Sequence, residues 1–151
     1  MRLNWYKILP ESYTAIKGME NYIERSRLEP KLKELVEIRA SQINSCNFGI
    51  HVHTRDAHVI GETNERLESL FNWRNSLLYT PRERAALKWC ESLTLISEYG
   101  ASDEVYDEIE RLFSPEEIVE LTFVIITINS WNRLTEAFKT EVGNYALPRK
   151  Y

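Results

Sequence analysis

The sequence predicts an all-α protein, a compact multi-helix domain, and three observations carry that prediction. The segments Thr80-Pro81-Arg82-Glu83 and Ser114-Pro115-Glu116-Glu117 each join a hydroxyl residue, a proline and a glutamate three positions beyond the hydroxyl. In that order they supply an N-cap, a first helical residue that needs no N–H donor, and a carboxylate that reaches back to the cap. After Pro81 the apolar residues Ala85, Trp89, Cys90, Leu93 and Ile96 recur mostly at three and four, a single helical stripe. No segment pairs strict period-two alternation with hairpin turn chemistry.

Taken in order, helices are expected at about Glu11 to Glu24, Pro30 to Ile43, Cys46 to Ile60, Asn64 to Phe71, Pro81 to near Gly100, Asp103 to Phe113 and Pro115 to about Lys139. Asn44-Ser45 breaks the second from the third and offers capping side chains to the latter. Gly61 stops the third helix, and Thr63 and Ser102 cap the helices that follow them. Within the last helix, Leu121 to Ile128 is apolar almost all round and rich in β-branching, which alone would also suit a buried strand. The capping box upstream and Trp131, Leu134 and Phe138 downstream assign it instead to a central helix enclosed by others. The stretch after Val142 reads as a tail on a single domain of residues 1–151.

Composition narrows the function classes. With 151 residues and 43% hydrophobic content the chain suits one soluble domain. Nineteen basic residues against twenty-three acidic ones, with no Lys/Arg cluster, argue against nucleic acid. The longest apolar run is far below the roughly 18 residues of a membrane span, and the N-terminus lacks a secretory apolar stretch. Two cysteines make no disulfide framework, so a reducing, cytoplasmic setting is expected.

Chemistry concentrates around Cys46-Asn47-Phe48-Gly49 and His53. Cys46 falls at a helix start, where unpaired N–H groups and the helix dipole favour a thiolate; it also suits a small buried residue at a helix junction. His53 follows by seven residues, on the same face but about 10 Å further along the axis. Position 49 is one turn before His53, within side-chain reach, and it is glycine. Glu34 and Glu37 share a face of the preceding helix, from which one carboxylate could orient the imidazole; more often a glutamate among such charged neighbours is simply solvated. His51 and His58 lie about 160° around the helix from His53, so the three histidines do not converge on a metal, and no cofactor is expected. Cys90 sits on an apolar face as a packing residue, or as a distant resolving thiol for Cys46.

The run Leu35-Val36-Glu37-Ile38-Arg39-Ala40-Ser41-Gln42-Ile43-Asn44-Ser45-Cys46, continued by His53-Thr54-Arg55-Asp56-Ala57, resembles the carboxymuconolactone decarboxylase superfamily, and within it the alkylhydroperoxidase-D-like branch. The likeness continues through Gly61-Glu62, Arg66-Leu67, Trp73-Arg74, Glu83-Arg84-Ala85-Ala86-Leu87 and Trp131-Asn132-Arg133-Leu134. It implies an all-helical protomer that assembles as a homo-oligomer: a dimer, a trimer or a trimer of dimers. It also implies a thiol-dependent peroxidase motif of Glu followed by Cys-x-x-Cys-x-x-x-His. Here Glu34 matches the relay glutamate, Cys46 the resolving cysteine and His53 the relay histidine. Gly49 stands where the branch carries its attacking thiol.

Three functions follow from that departure. The first is a peroxide-reactive oxidoreductase that oxidises Cys46 and relies on Cys90, another subunit or a small thiol reductant to resolve it. In the second, Glu34 and His53 perform acid–base chemistry on a small organic acid or lactone, or bind it. A third is a non-catalytic oligomer.

Overall fold

The structure, a computed structural model, describes residues 1–142. The expected tail lies outside the described residues beyond Val142. Among those residues there are nine α-helices and no strand. They are α1 (Trp5–Ile8), α2 (Pro10–Glu24), α3 (Pro30–Ile43), α4 (Asn47–Val59), α5 (Asn64–Ser69), α6 (Pro81–Thr94), α7 (Ile96–Tyr99), α8 (Asp103–Glu110) and α9 (Pro115–Phe138). A 3-10 segment, Leu70–Asn75, extends α5.

Local chemistry sets most of these boundaries. Both capping boxes form, with Thr80 and Ser114 accepting from the N–H of Glu83 and Glu117 while each glutamate reaches back to its cap. Thr63 and Ser102 cap α5 and α8 as expected. Gly61 takes a φ of 81°, a left-handed turn that glycine adopts at little cost. Four expectations shift. The short α1 precedes the first expected helix, and α5 passes into 3-10 geometry at Leu70. The helix from Pro81 breaks at Leu95, whose ψ of 39° leaves the helical region, and α8 ends at Glu110 instead of Phe113.

The α3–α4 junction departs from expectation in a way that shapes the site. Asn44 and Ser45 do not cap α4. Ser45 adopts φ 53°, its N–H bonds to Gln42 O, and the N–H of Cys46 bonds to Ser41 O at 2.9 Å. This is a Schellman closure of α3 with serine in the left-handed position. Cys46 itself becomes the N-cap of α4, one residue before the helix in which it was expected.

The central helix is α3, which packs on α4, α6 and α9. Leu32, Val36 and Ala40 enter the main core with Leu121, Ile125 and Ile128 of α9, while Leu35 and Ile38 enter a second cluster with Leu70, Trp73 and Leu87. Its third face carries Glu34, Glu37 and Ser41, all buried. The apolar α9 was expected to be enclosed by others. Instead Val119, Phe123 and Ile126 stay 38–51% exposed along one strip, because α9 forms a side of the bundle.

Candidate active site

Two helices build the site around one imidazole. Glu34 and Glu37 come from the buried third face of α3, and His53 projects from the second turn of α4. His53 Nδ1 lies 2.9 Å from Glu34 Oε2 and 3.3 Å from Glu37 Oε2. Both carboxylates are buried, Glu34 completely. An Nδ1–H held this way fixes the tautomer and leaves Nε2 as the ring nitrogen that can act on a bound molecule. The carboxylates also stabilise the positive charge that forms when Nε2 takes a proton.

A cavity of about 340 Å³ opens beside the ring. One wall is α4, with Phe48, Gly49, Val52, His53 and Asp56; another is the stripe Ile128, Trp131, Asn132 and Thr135 of α9. Tyr13, Lys17, Glu20 and Glu24 of α2 close the remaining side together with Trp5. The rings of Trp5, Tyr13 and Trp131 pack on one another with centroids 6.0–6.3 Å apart. Glu37 reaches this wall, whereas Glu34 supports the imidazole from behind it.

The thiols sit elsewhere. Cys46 is fully buried, its Sγ lying 3.1 Å from Thr135 Oγ1 and accepting from the Gly49 N–H at 3.4 Å. Among the described residues the cavity wall does not include Cys46. Cys90 lies in the main core, where its thiol donates to Val36 O and burial pushes it up to about 12. A thiol so strongly held in its protonated form is a poor resolving group.

Gly49 is required by close approach. A Cβ there would run into Ser41 Oγ and stand 2.8 Å from Asn132 Oδ1 and 3.1 Å from Ser41 Cβ. The room that a side chain at position 49 would need is taken by polar groups of α3 and α9. Glu34 and His53 are legible in the sequence as site residues, whereas Glu37 and Asn132 are not. Glu37 resembled a solvated charge, and the polar steps Asn129, Asn132 and Thr135 along an apolar α9 were the available signal for the latter.

His51 and His58 are exposed and do not join the site. Glu34, Glu37 and His53 are the group whose ligand atoms lie within 4.8 Å of one another, the geometry closest to a metal site among the described residues. Their separations at Nδ1 are hydrogen-bond distances, which one shared proton satisfies. Among the described residues no helix is long and apolar enough to cross a membrane.

The sequence model of the carboxymuconolactone decarboxylase family matches residues 10–92, more than half of the chain. The protein belongs to this family, with the alkylhydroperoxidase-D-like all-helical fold. It is 39% identical over 145 residues to the uncharacterised protein YdfG of Bacillus subtilis (strain 168), covering 96% of each chain. It is 37% identical to the Agrobacterium tumefaciens protein ATU0492, of unknown function and provisionally assigned as the antioxidant defence protein AhpD. That crystal structure superposes with a TM-score of 0.90 over 93% of this chain and 96% of the other. The debrominase Bmp8 shares the fold at 21% identity, with a TM-score of 0.76 over 88% of this chain and 72% of its own.

Proposed function

We propose that this family member performs acid–base chemistry on a small organic molecule, with His53 transferring the proton and Glu34 and Glu37 holding its ring. One observation carries the reading: Nδ1 of His53 is held by two buried carboxylates at the wall of a cavity. Thiol-dependent peroxide reduction has the family likeness and a free Cys46 thiol in its favour. Against it stand the enclosure of Cys46 and a position 49 that has no thiol and where a side chain would have to displace Ser41 Oγ and Asn132 Oδ1. The proposal includes a reducing, cytoplasmic setting, supported by two free cysteines, and self-association through the exposed strip of α9.

Proton exchange tests this directly. Phenylacetone in deuterated buffer should gain deuterium beside its carbonyl faster with the protein than without it, followed by NMR. His53→Ala should slow that exchange by about 10²-fold or more, while Cys46→Ser leaves it unchanged. Loss of exchange in Cys46→Ser, no acceleration over buffer, or hydroperoxide consumption that depends on Cys46 would each reject the proposal.

A further inference from the structure

The cavity wall contains a polar group that proton transfer by His53 does not use. Asn132 is 2% exposed and lines the cavity on the α9 side. Its Oδ1 lies against Gly49 and 3.2 Å from Ser41 Oγ, while its Nδ2 has no hydrogen-bond partner among the described residues. An unsatisfied buried amide donor is destabilising, and a ligand oxygen would satisfy it. Because Oδ1 stands 2.8 Å from where a Cβ at position 49 would sit, the amide flanks the place that a side chain there would otherwise fill.

The remaining lining selects the ligand's charge and shape. Glu20, Glu24, Glu37 and Asp56 face the cavity together with Lys17, which pairs with Glu20 at 2.9 Å and Glu24 at 3.6 Å. Asp56 is held by Arg55 at 2.7 Å. That excess of carboxylates repels an anion, so an organic acid is disfavoured. Trp5, Tyr13 and Trp131 give the cavity an aromatic wall, which suits a flat apolar body.

We infer that Asn132 is the oxygen anchor of the site, donating from Nδ2 to the carbonyl oxygen of an uncharged, ring-bearing ketone or ester. Binding stands on the amide and the cavity alone; the chemical step rests on the proton-transfer reading above. In that step His53 Nε2 takes a proton from the carbon beside the carbonyl. The C–H bond breaks and an N–H bond forms, while the electron pair moves into the C=C of an enolate. Its negative charge rests on the oxygen held by Asn132. The imidazolium then returns the proton to carbon, so no electron leaves the substrate.

The test compares acetophenone with ethylbenzene, which differ only by C=O against CH2, using quenching of tryptophan fluorescence. The ratio of the two affinities, compared between proteins, removes their different transfer from water. Asn132→Leu and Asn132→Asp should each shift that ratio about tenfold toward ethylbenzene, and His53→Ala should leave it unmoved. Asn132→Asp keeps the side-chain volume and serves if the leucine variant does not fold by circular dichroism. An unchanged ratio in the folded variants, a shift confined to His53→Ala, or no binding of either probe to the wild type overturns the inference. So does Asn132-dependent selection of aniline over ethylbenzene, which would put the amide oxygen toward the ligand. If the ratio shifts as expected while exchange of phenylacetone is absent, the anchor stands and the proton-transfer reading falls.

Discussion

Gly49 shows how a single position rules chemistry in or out. Adding a methyl group to a helical glycine ordinarily gains up to about 1 kcal/mol from helix propensity. Here that group meets Ser41 Oγ and Asn132 Oδ1, and overpacking of this kind costs about 1–3 kcal/mol. Gly49→Ala should therefore lower stability by about 1 kcal/mol in urea unfolding, and adding Ser41→Ala should recover part of the loss by removing the nearest atom. Stability above wild type in Gly49→Ala alone would contradict the packing. Ser45 offers the opposite case. It is exposed with φ 53°, a conformation that costs a residue with a Cβ about 1 kcal/mol, so Ser45→Gly should raise the unfolding free energy by that order. Cys90, pushed up to about 12 by burial, should resist iodoacetamide at mildly alkaline pH until the protein is unfolded. Fast alkylation of native protein at Cys90, read by peptide mass, would show that the core opens there.

At the scale of elements, α6 is tied to the rest of the fold through Glu91. Its carboxylate accepts from Arg39 Nε at 2.9 Å and Trp73 Nε1 at 2.8 Å and also pairs with Arg74. Burial pushes this carboxyl up, but the bonds from Trp73 and Arg74 and the charge of Arg39 outweigh it and hold it below the usual carboxylate range. A depressed carboxyl contributes stability above its unfolded value that is lost as pH falls through the folded one. Glu91→Gln should thus cost about 2 kcal/mol near neutrality, and the gap to wild type should close as pH falls through the depressed folded-state value of Glu91. A gap independent of pH would mean that Glu91 acts by shape alone. The junction between α3 and α4 is the other decisive element. Its tight reversal lays His53 against Glu34 and Glu37, while the same turn places Cys46 at the cap and closes it beneath Thr135.

At the scale of the molecule, α9 presents two unlike faces. One lines the cavity with Asn132 and Thr135, and the other exposes Val119, Phe123 and Ile126. A strip of that kind fits the proposed self-association. Phe123→Glu should then lower the sedimentation coefficient toward that of a monomer while leaving the helical circular dichroism intact. Unchanged sedimentation would place any association elsewhere. The helix order was legible because its signals are local: capping boxes, a proline at N1 and a three-four apolar stripe need only neighbours in the chain. The partnership of Glu34 with His53 was legible too, since both lie on consecutive helices and match the family motif. Glu37 resembles a solvated charge, for its charged neighbours do not reveal that α3 is buried on three faces.

The sequence by itself determined most of the helices, both capping boxes and the absence of a thiol at position 49, for each depends on residues within a turn or two of one another. Tertiary structure alone decided that α3 is central, that Cys46 is sealed away from the cavity, and that Asn132, far along the chain, stands beside Gly49. Those outcomes depend on which faces meet when helices pack, and complementary burial across distant segments leaves no periodic trace in the chain.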